Sequence, residues 1–425
     1  MIGTNSLKLD KKLVNTVSQE CSEEIKVGLT KEQLLSKNIK KIANDLVNIE
    51  AMKNKFARIV LKNQEQLDFS EFIQNPKFFI KESELKKQIS PSNINGLKIV
   101  SVDGSSVVKK YLNVNFSFLK AIVAKYRFIK NYDAVIEFFP DLSGYNNYMV
   151  RGNFINDEEN VIDAKVSLDM NFMEINLLNN LIEKSTDIDL IVLDGPVLIT
   201  PINLLFSKDI EISKKYDSLL KEYHKLYSNC EEKGTILIGS IKDTRTAALS
   251  HLLCESIQLL KPSLSNLTDF IEINYRQVME YFSDLDLFNR VLKKSERSCI
   301  FNCKLEIDNI RESGIKKKIP DYFPLTFYAF YLKTVLYDTP CRFEFFINEN
   351  HKLEEASKKA DLISSILLPI SNLNEYYGLP IPQIEAHKRA VFKSEEINLL
   401  FNNLIRRLHE HGITLLEKRR NRRPF

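Results

Sequence analysis

Apolar residues recur at helical spacing between about Lys31 and Lys62, at Ile39, Ile42, Ala43, Leu46, Val47, Met52, Phe56, Ile59 and Val60. The stripe predicts an amphipathic helix that packs on the body of the protein or on a partner. Pro76 and a Ser-Pro-Ser-Asn-Ile-Asn-Gly run at 90–96 then break the chain. From Leu97 the pattern turns to strands, over Leu97–Val102, Phe116–Phe128 and Ala134–Phe139. A Gly/Asn-rich loop near 144–160 follows. Ala164–Lys184 then reads as helix, Ile188–Leu193 as strand, Glu211–Cys230 as helix and Thr235–Ile241 as strand.

The order β-β-β-α-β-α-β predicts an α/β fold with a ribonuclease H-like, mixed five-stranded sheet core and flanking helices. In that topology the first and fourth strands lie side by side and parallel. A helix-rich insert follows at about 245–320, then two further strands that look paired, 327–333 and 340–347, and a helical C-terminus. The expected division is a helical N-terminal extension over 1–96, one domain over 97–392, and a C-terminal helix with a basic tail over 393–425.

The first and fourth strands share a peculiarity. Each apolar run ends in Asp-Gly, at Asp103-Gly104 and at Asp194-Gly195. A carboxylate at the mouth of a buried strand is costly unless something neutralises it, and a divalent metal ion would do so for both at once. Two ordinary turns would produce the same dipeptides, because Asp bonds its own backbone and Gly takes positive φ. The shared architecture is what favours a metal site.

Glu174 lies on the helix between these strands and shares a stripe with Met170, Leu177, Leu178 and Leu181. An acid on an apolar face is either a third ligand or half of an ion pair; Asp169, on another stripe, is the second choice. His387 opens a helix after Pro382, on the face of Ile384 and Val391. From spacing alone it reads as a hydrogen-bonded core histidine or as a ligand.

Composition narrows the classes. The chain has 425 residues, 27% of them charged and 44% hydrophobic, an ordinary globular balance. No run of apolar residues is long enough for a transmembrane helix, and Met1–Lys12 lacks the apolar core of a signal peptide, so a cytoplasmic location is expected. The six scattered cysteines suggest no disulfide framework, and Cys299 and Cys303 lack a second pair that would complete a zinc site. A net charge of +4 does not argue for nucleic acid by itself. Five cations between Lys418 and Arg423 form either a solvated tail or a phosphate-contacting arm.

Taken in order, Asp103-Gly-Ser, Met173-Glu174, Asp194-Gly-Pro, Ile238-Gly-Ser-Ile-Lys-Asp243, Tyr331-Leu-Lys with Arg342-Phe-Glu344, and Pro380-Ile-Pro-Gln-Ile-Glu-Ala-His387 resemble the motifs of the NurA nucleases. The resemblance implies a metal-dependent deoxyribonuclease with 5′-to-3′ exonuclease and single-strand endonuclease activity. It implies a homodimer that uses Mn²⁺ (or Mg²⁺), with a HerA-type hexameric ATPase as partner. By motif, metal-ligand roles fall to Asp103, Glu174, Asp194 and His387, and a catalytic role to Tyr331, with Lys333 a weaker match. The expected mechanism is two-metal phosphodiester hydrolysis. Tyr331 would stack on a base or contact phosphate, or else be a core aromatic. A non-catalytic DNA-positioning adaptor of an ATPase ring and an enzyme acting on RNA are the competing readings.

Overall fold

A computed structural model describes residues 11–62, 80–112, 114–130, 133–140, 148–154, 159–185, 187–197, 209–260, 281–303, 325–348 and 353–416. Residues 141–147 and 155–158, most of the expected insert between 261 and 324, and the basic tail lie outside them.

Among the described residues eleven strands form one sheet. They are β1 (Lys86–Gln88), β2 (Lys98–Lys110), β3 (Val114–Arg127), β4 (Val135–Phe139), β5 (Tyr148–Phe154), β6 (Leu190–Asp194), β7 (Ile236–Ile241), β8 (Glu296–Ser298), β9 (Phe301–Asn302), β10 (Leu325–Leu332) and β11 (Cys341–Asn348). Their order is β1-β8-β10-β11-β7-β6-β2-β3-β4, with β5 on β3 and β9 on β10. The five strands expected from sequence are contiguous within it as β7-β6-β2-β3-β4. The first and fourth of these, β2 and β6, are parallel neighbours from Ile99↔Leu190 to Val102↔Leu193. The two later strands pair antiparallel as β10 and β11, and β11 joins the core through β7.

Both faces of the sheet are covered, which is why its central strands read as unbroken apolar runs rather than alternating ones. Val100, Val102, Ile191 and Leu193 point into one core with α2 (Glu159–Lys184) and α3 (Ile210–Lys233). Ile99, Leu190 and Val192 point into the other, with α6 (Leu353–Ile370). The remaining helices are α1 (Lys11–Lys62), α4 (Ala248–Leu260), α5 (Asp284–Val291), α7 (Ile381–Ala390) and α8 (Ser394–Glu410).

Several expectations change. The N-terminal helix begins at Lys11, twenty residues before its expected start. Its final turns dock on the body, with Phe56 edge-on to Phe282 at 5.2 Å and Lys53 bonded to Asp286 at 2.9 Å. Upstream, Leu35, Ile39, Ile42 and Leu46 stay exposed, so only the lower half of the stripe packs on the body. The N-terminal segment also supplies the edge strand β1, paired with β8. The Gly/Asn-rich loop contains β5, which covers the outer half of β3 from Val114 to Lys120. Among the described residues no helix is long and apolar enough to cross a membrane.

Candidate metal centre

The parallel pairing of β2 and β6 ends at Val102↔Leu193, and the next residue on each strand is an aspartate. The sequence suggested two strand-end turns, and only one exists. After Asp194, Gly195 adopts φ 132° and the chain turns away, its N–H donating to the Ser240 carbonyl at 3.0 Å. Gly239 lets this turn press onto β7, since a Cβ there would meet the Gly195 carbonyl oxygen at 2.5 Å and the Val197 nitrogen at 2.6 Å. Asp103, in contrast, sits inside β2, which runs on to Lys110 against β3, with Asp103↔Ile122 and Gly104↔Ala121 in register. The β2–β3 hairpin outlasts the parallel pair, and the cleft where β2 and β6 part is where the carboxylates meet.

Alternation along the strands gives both aspartates the face of Ile99, Leu190 and Val192. Helix α7 lies over that face. It is capped by Pro380 and carries Pro382 in its first turn, a position where the missing N–H costs nothing. Gln383 and His387, four residues apart, project from the same side of α7. His387 Nδ1 lies 2.7 Å from Asp103 Oδ2, and Gln383 Nε2 donates to Asp194 Oδ1 at 3.1 Å. Lys242, just past β7, donates to Asp194 Oδ2 at 2.8 Å.

Ligand atoms of Asp103, Asp194 and His387 all lie within 4.8 Å of one another. Two carboxylate oxygens and an imidazole nitrogen at that spacing suit a divalent ion such as Mn²⁺. Asp103 is buried, Asp194 half-buried and His387 exposed, so the group opens to solvent on the histidine side.

Glu174 approaches from the opposite face of the sheet. Its helix, α2, packs on the core that contains Val100 and Val102. Gly104 shares their side of β2, and the lack of a side chain there lets Glu174 come in. A Cβ at Gly104 would overlap Glu174 Oε1 and lie 2.8 Å from Met170 Cγ. Glu174 is therefore beside the group rather than within it, near enough to feel both aspartates. Desolvation, then the charges of Asp103 and Asp194, push its pKa up to about 8. Burial and the neighbouring Asp194 also raise the Asp103 carboxyl, against the lowering effect of His387. Burial works against the charged Lys242 ammonium, but its hydrogen bond to Asp194 and that carboxylate's charge outweigh this and hold its pKa above the ordinary lysine value. Three acids crowded together with one lysine are an arrangement that a cation stabilises.

Tyr331 is not brought to this group. It is fully buried on the other face of the sheet, on β10, three strands from β6, or roughly 14 Å away at the usual strand spacing. Its ring stacks on Phe288 at 4.9 Å and Phe301 at 6.0 Å. Its ring is part of the apolar core on the side of the sheet away from Asp103 and Asp194. Lys333 is buried too and donates to Asn289 at 2.9 Å. Asp169, the second choice for a ligand, is bonded to Lys215 at 2.5 Å.

A buried polar chain nonetheless links Tyr331 to the turn after Asp194. Its hydroxyl lies 3.2 Å from Thr246 Oγ1, which Arg342 Nη1 contacts at 3.3 Å. Arg342 Nη2 pairs with Glu344 Oε1 at 2.7 Å, and Glu344 Oε2 accepts from the Val197 N–H at 3.2 Å. Tyr227 holds the Val197 carbonyl at 2.6 Å. This buried polar chain pins the turn that carries Asp194.

Sequence reasoning singled out neither Lys242 nor Gln383. Both lie inside quoted motifs: helical spacing from His387 points to Gln383, and the adjacency of β7 and β6 points to Lys242.

The NurA domain family profile matches residues 97–392. A comparison with curated proteins finds no match. Among solved structures, the NurA nuclease from Sulfolobus solfataricus is similar at 15% identity and TM-score 0.47, over 87% of this chain and 98% of that one. A NurA structure with manganese aligns at 14% identity and TM-score 0.36, over 88% and 98%. One bound to dAMP and manganese aligns at 13% and 0.30, over 80% and 93%.

Proposed function

Because the chain belongs to the NurA family, we propose that it is a metal-dependent nuclease that hydrolyses phosphodiester bonds in DNA, as a 5′-to-3′ exonuclease and single-strand endonuclease. The observation that carries this reading is the meeting of Asp103, Asp194 and His387, residues remote in sequence, within 4.8 Å.

On this reading Asp103, Asp194 and His387 hold Mn²⁺ or Mg²⁺, and Glu174 joins them where a second ion binds. Bound ions would supply an activated water and charge neutralisation at the leaving oxygen. The chain's own residues do the rest. His387 is held against Asp103, which fixes its ring orientation. Gln383 orients the Asp194 carboxylate. The Tyr331–Thr246–Arg342–Glu344 chain keeps the Asp194 turn in place, so Tyr331 acts through this support rather than on substrate.

An open cleft beside the centre is lined by Lys120, Lys388, Arg389 and Lys393 together with Glu385, Glu395 and Glu396. Lys120 is paired with Glu396 and Lys388 with Glu385, which leaves Arg389 and Lys393 as the cations best placed for a phosphate backbone. The proposal extends to a homodimer working with a HerA-type ATPase. It also keeps the expected division into an N-terminal extension (1–96), a nuclease domain (97–392) and a C-terminal helix with tail.

The test is cleavage of matched DNA and RNA oligonucleotides by the purified chain with Mn²⁺, Mg²⁺ or EDTA. Metal-dependent DNA cleavage that Asp103→Asn abolishes is the expected result. DNA binding without cleavage under any metal would favour the adaptor, and preferential RNA cleavage would favour the ribonuclease.

A further inference from the structure

Chain donors already engage both oxygens of Asp194: Gln383 Nε2 on Oδ1 and Lys242 Nζ on Oδ2. A divalent ion shared by Asp103, Asp194 and His387 would compete with the ammonium 2.8 Å from Asp194 Oδ2 for the charge of that carboxylate, because like charges repel in a half-buried site. The two donors are not equally removable. Gln383 is 1% exposed on a packed helix, and moving it would strand a buried amide. Lys242 follows the end of β7, its side chain is 31% exposed, and a flexible four-carbon stem carries its charge.

We propose that Lys242 is the counter-cation of Asp194 before metal binds, that a divalent ion displaces it, and that the freed ammonium then contacts a phosphate of the substrate. The inference rests on the metal-dependent nuclease reading above. It gives Lys242 two successive partners, a carboxylate and then a phosphate. Its departure keeps the charge of the centre near balance as the ion arrives. An arginine would reach Asp194 with a two-pronged grip that is harder to release, so lysine is the suitable cation for an exchange.

The experiment uses the full chain stripped of metal. Mn²⁺ binding, followed by the electron paramagnetic resonance of free Mn²⁺, is compared for the wild type, Lys242→Met and Lys242→Arg. Lys242→Met is expected to bind Mn²⁺ several-fold more tightly, because the competing cation is gone, and to show a raised KM for a single-stranded DNA oligonucleotide. On the wild type, an amine-reactive reagent read by peptide mass spectrometry is expected to label Lys242 faster once Mn²⁺ is present. Lys87, 48% exposed on the edge strand β1, serves as the control whose labelling stays constant. The labelling arm stands even if a variant fails to fold. Unchanged or weaker Mn²⁺ binding by Lys242→Met, or metal-independent labelling of Lys242, overturns the proposal while leaving the metal centre intact. A wild type that takes up no Mn²⁺ overturns both.

Discussion

The two Asp-Gly pairs look alike in sequence and are built for different purposes. At Asp194-Gly195 the glycine serves the backbone: φ is 132°, and a Cβ there would meet nothing within 4 Å. At Asp103-Gly104 the backbone is ordinary extended strand, and the glycine serves a neighbour, since a Cβ would collide with Glu174. One glycine makes a turn, the other makes room. Together they bring a carboxylate from each strand to the same side and admit a third acid from the opposite face.

Altering the aspartates should erase the distinction. Asp103→Asn and Asp194→Asn are both expected to cut DNA cleavage by more than about 100-fold, beyond the 10–100-fold range of residues that merely support a metal ligand. Circular dichroism should report unchanged folds. A loss of under tenfold for either would remove that residue from the centre.

Altering the glycines should expose the difference. Gly104→Ala forces the Glu174 carboxylate away and is expected to cost about 1–3 kcal/mol as an overpacked contact. It should weaken Mn²⁺ binding as well. Adding Glu174→Ala should restore much of that stability, a coupling readable in a double-mutant cycle by denaturant unfolding. Gly195→Ala is expected to cost about 1–2 kcal/mol through backbone strain alone. No trimming of a neighbouring side chain should relieve it. Identical behaviour of the two variants would mean that the glycines share one role.

A further expectation concerns pH. Burial beside Asp103 and Asp194 raises Glu174 from the ordinary 4.5 to about 8. Between those values the native state holds a proton that the unfolded chain has released. By linkage, the metal-free protein should lose stability as pH rises through this window and level off above it. Urea unfolding at several pH values should show the decline in the wild type and a flatter profile in Glu174→Gln. Equal slopes would place Glu174 away from the aspartates.

Much of this arrangement was legible in the chain. Strands β2, β6 and β7 announced themselves because both of their faces are buried, and their order put Asp103 next to Asp194. The burial that made them visible also hid which face each side chain takes. Tyr331 could be assigned a strand but not a side, and it lies opposite the centre. Strand β5 was missed because Tyr148–Phe154 includes Arg151, Gly152 and Asn153 and pairs only with the outer half of a long β3. His387 and Gln383 reach the aspartates across most of the chain, contacts that local spacing does not encode. Lys242 sits in a quoted motif, but its partner Asp194 follows only from the adjacency of β6 and β7.

The central claim is that Asp103, Asp194 and His387 close around one cation. A crystal structure of the metal-free chain soaked in Mn²⁺, with anomalous data at the manganese edge, tests it directly. The account predicts a peak within coordination distance of all three residues, with the Lys242 ammonium withdrawn from Asp194. Manganese bound elsewhere, with these three side chains intact and unliganded, would contradict it.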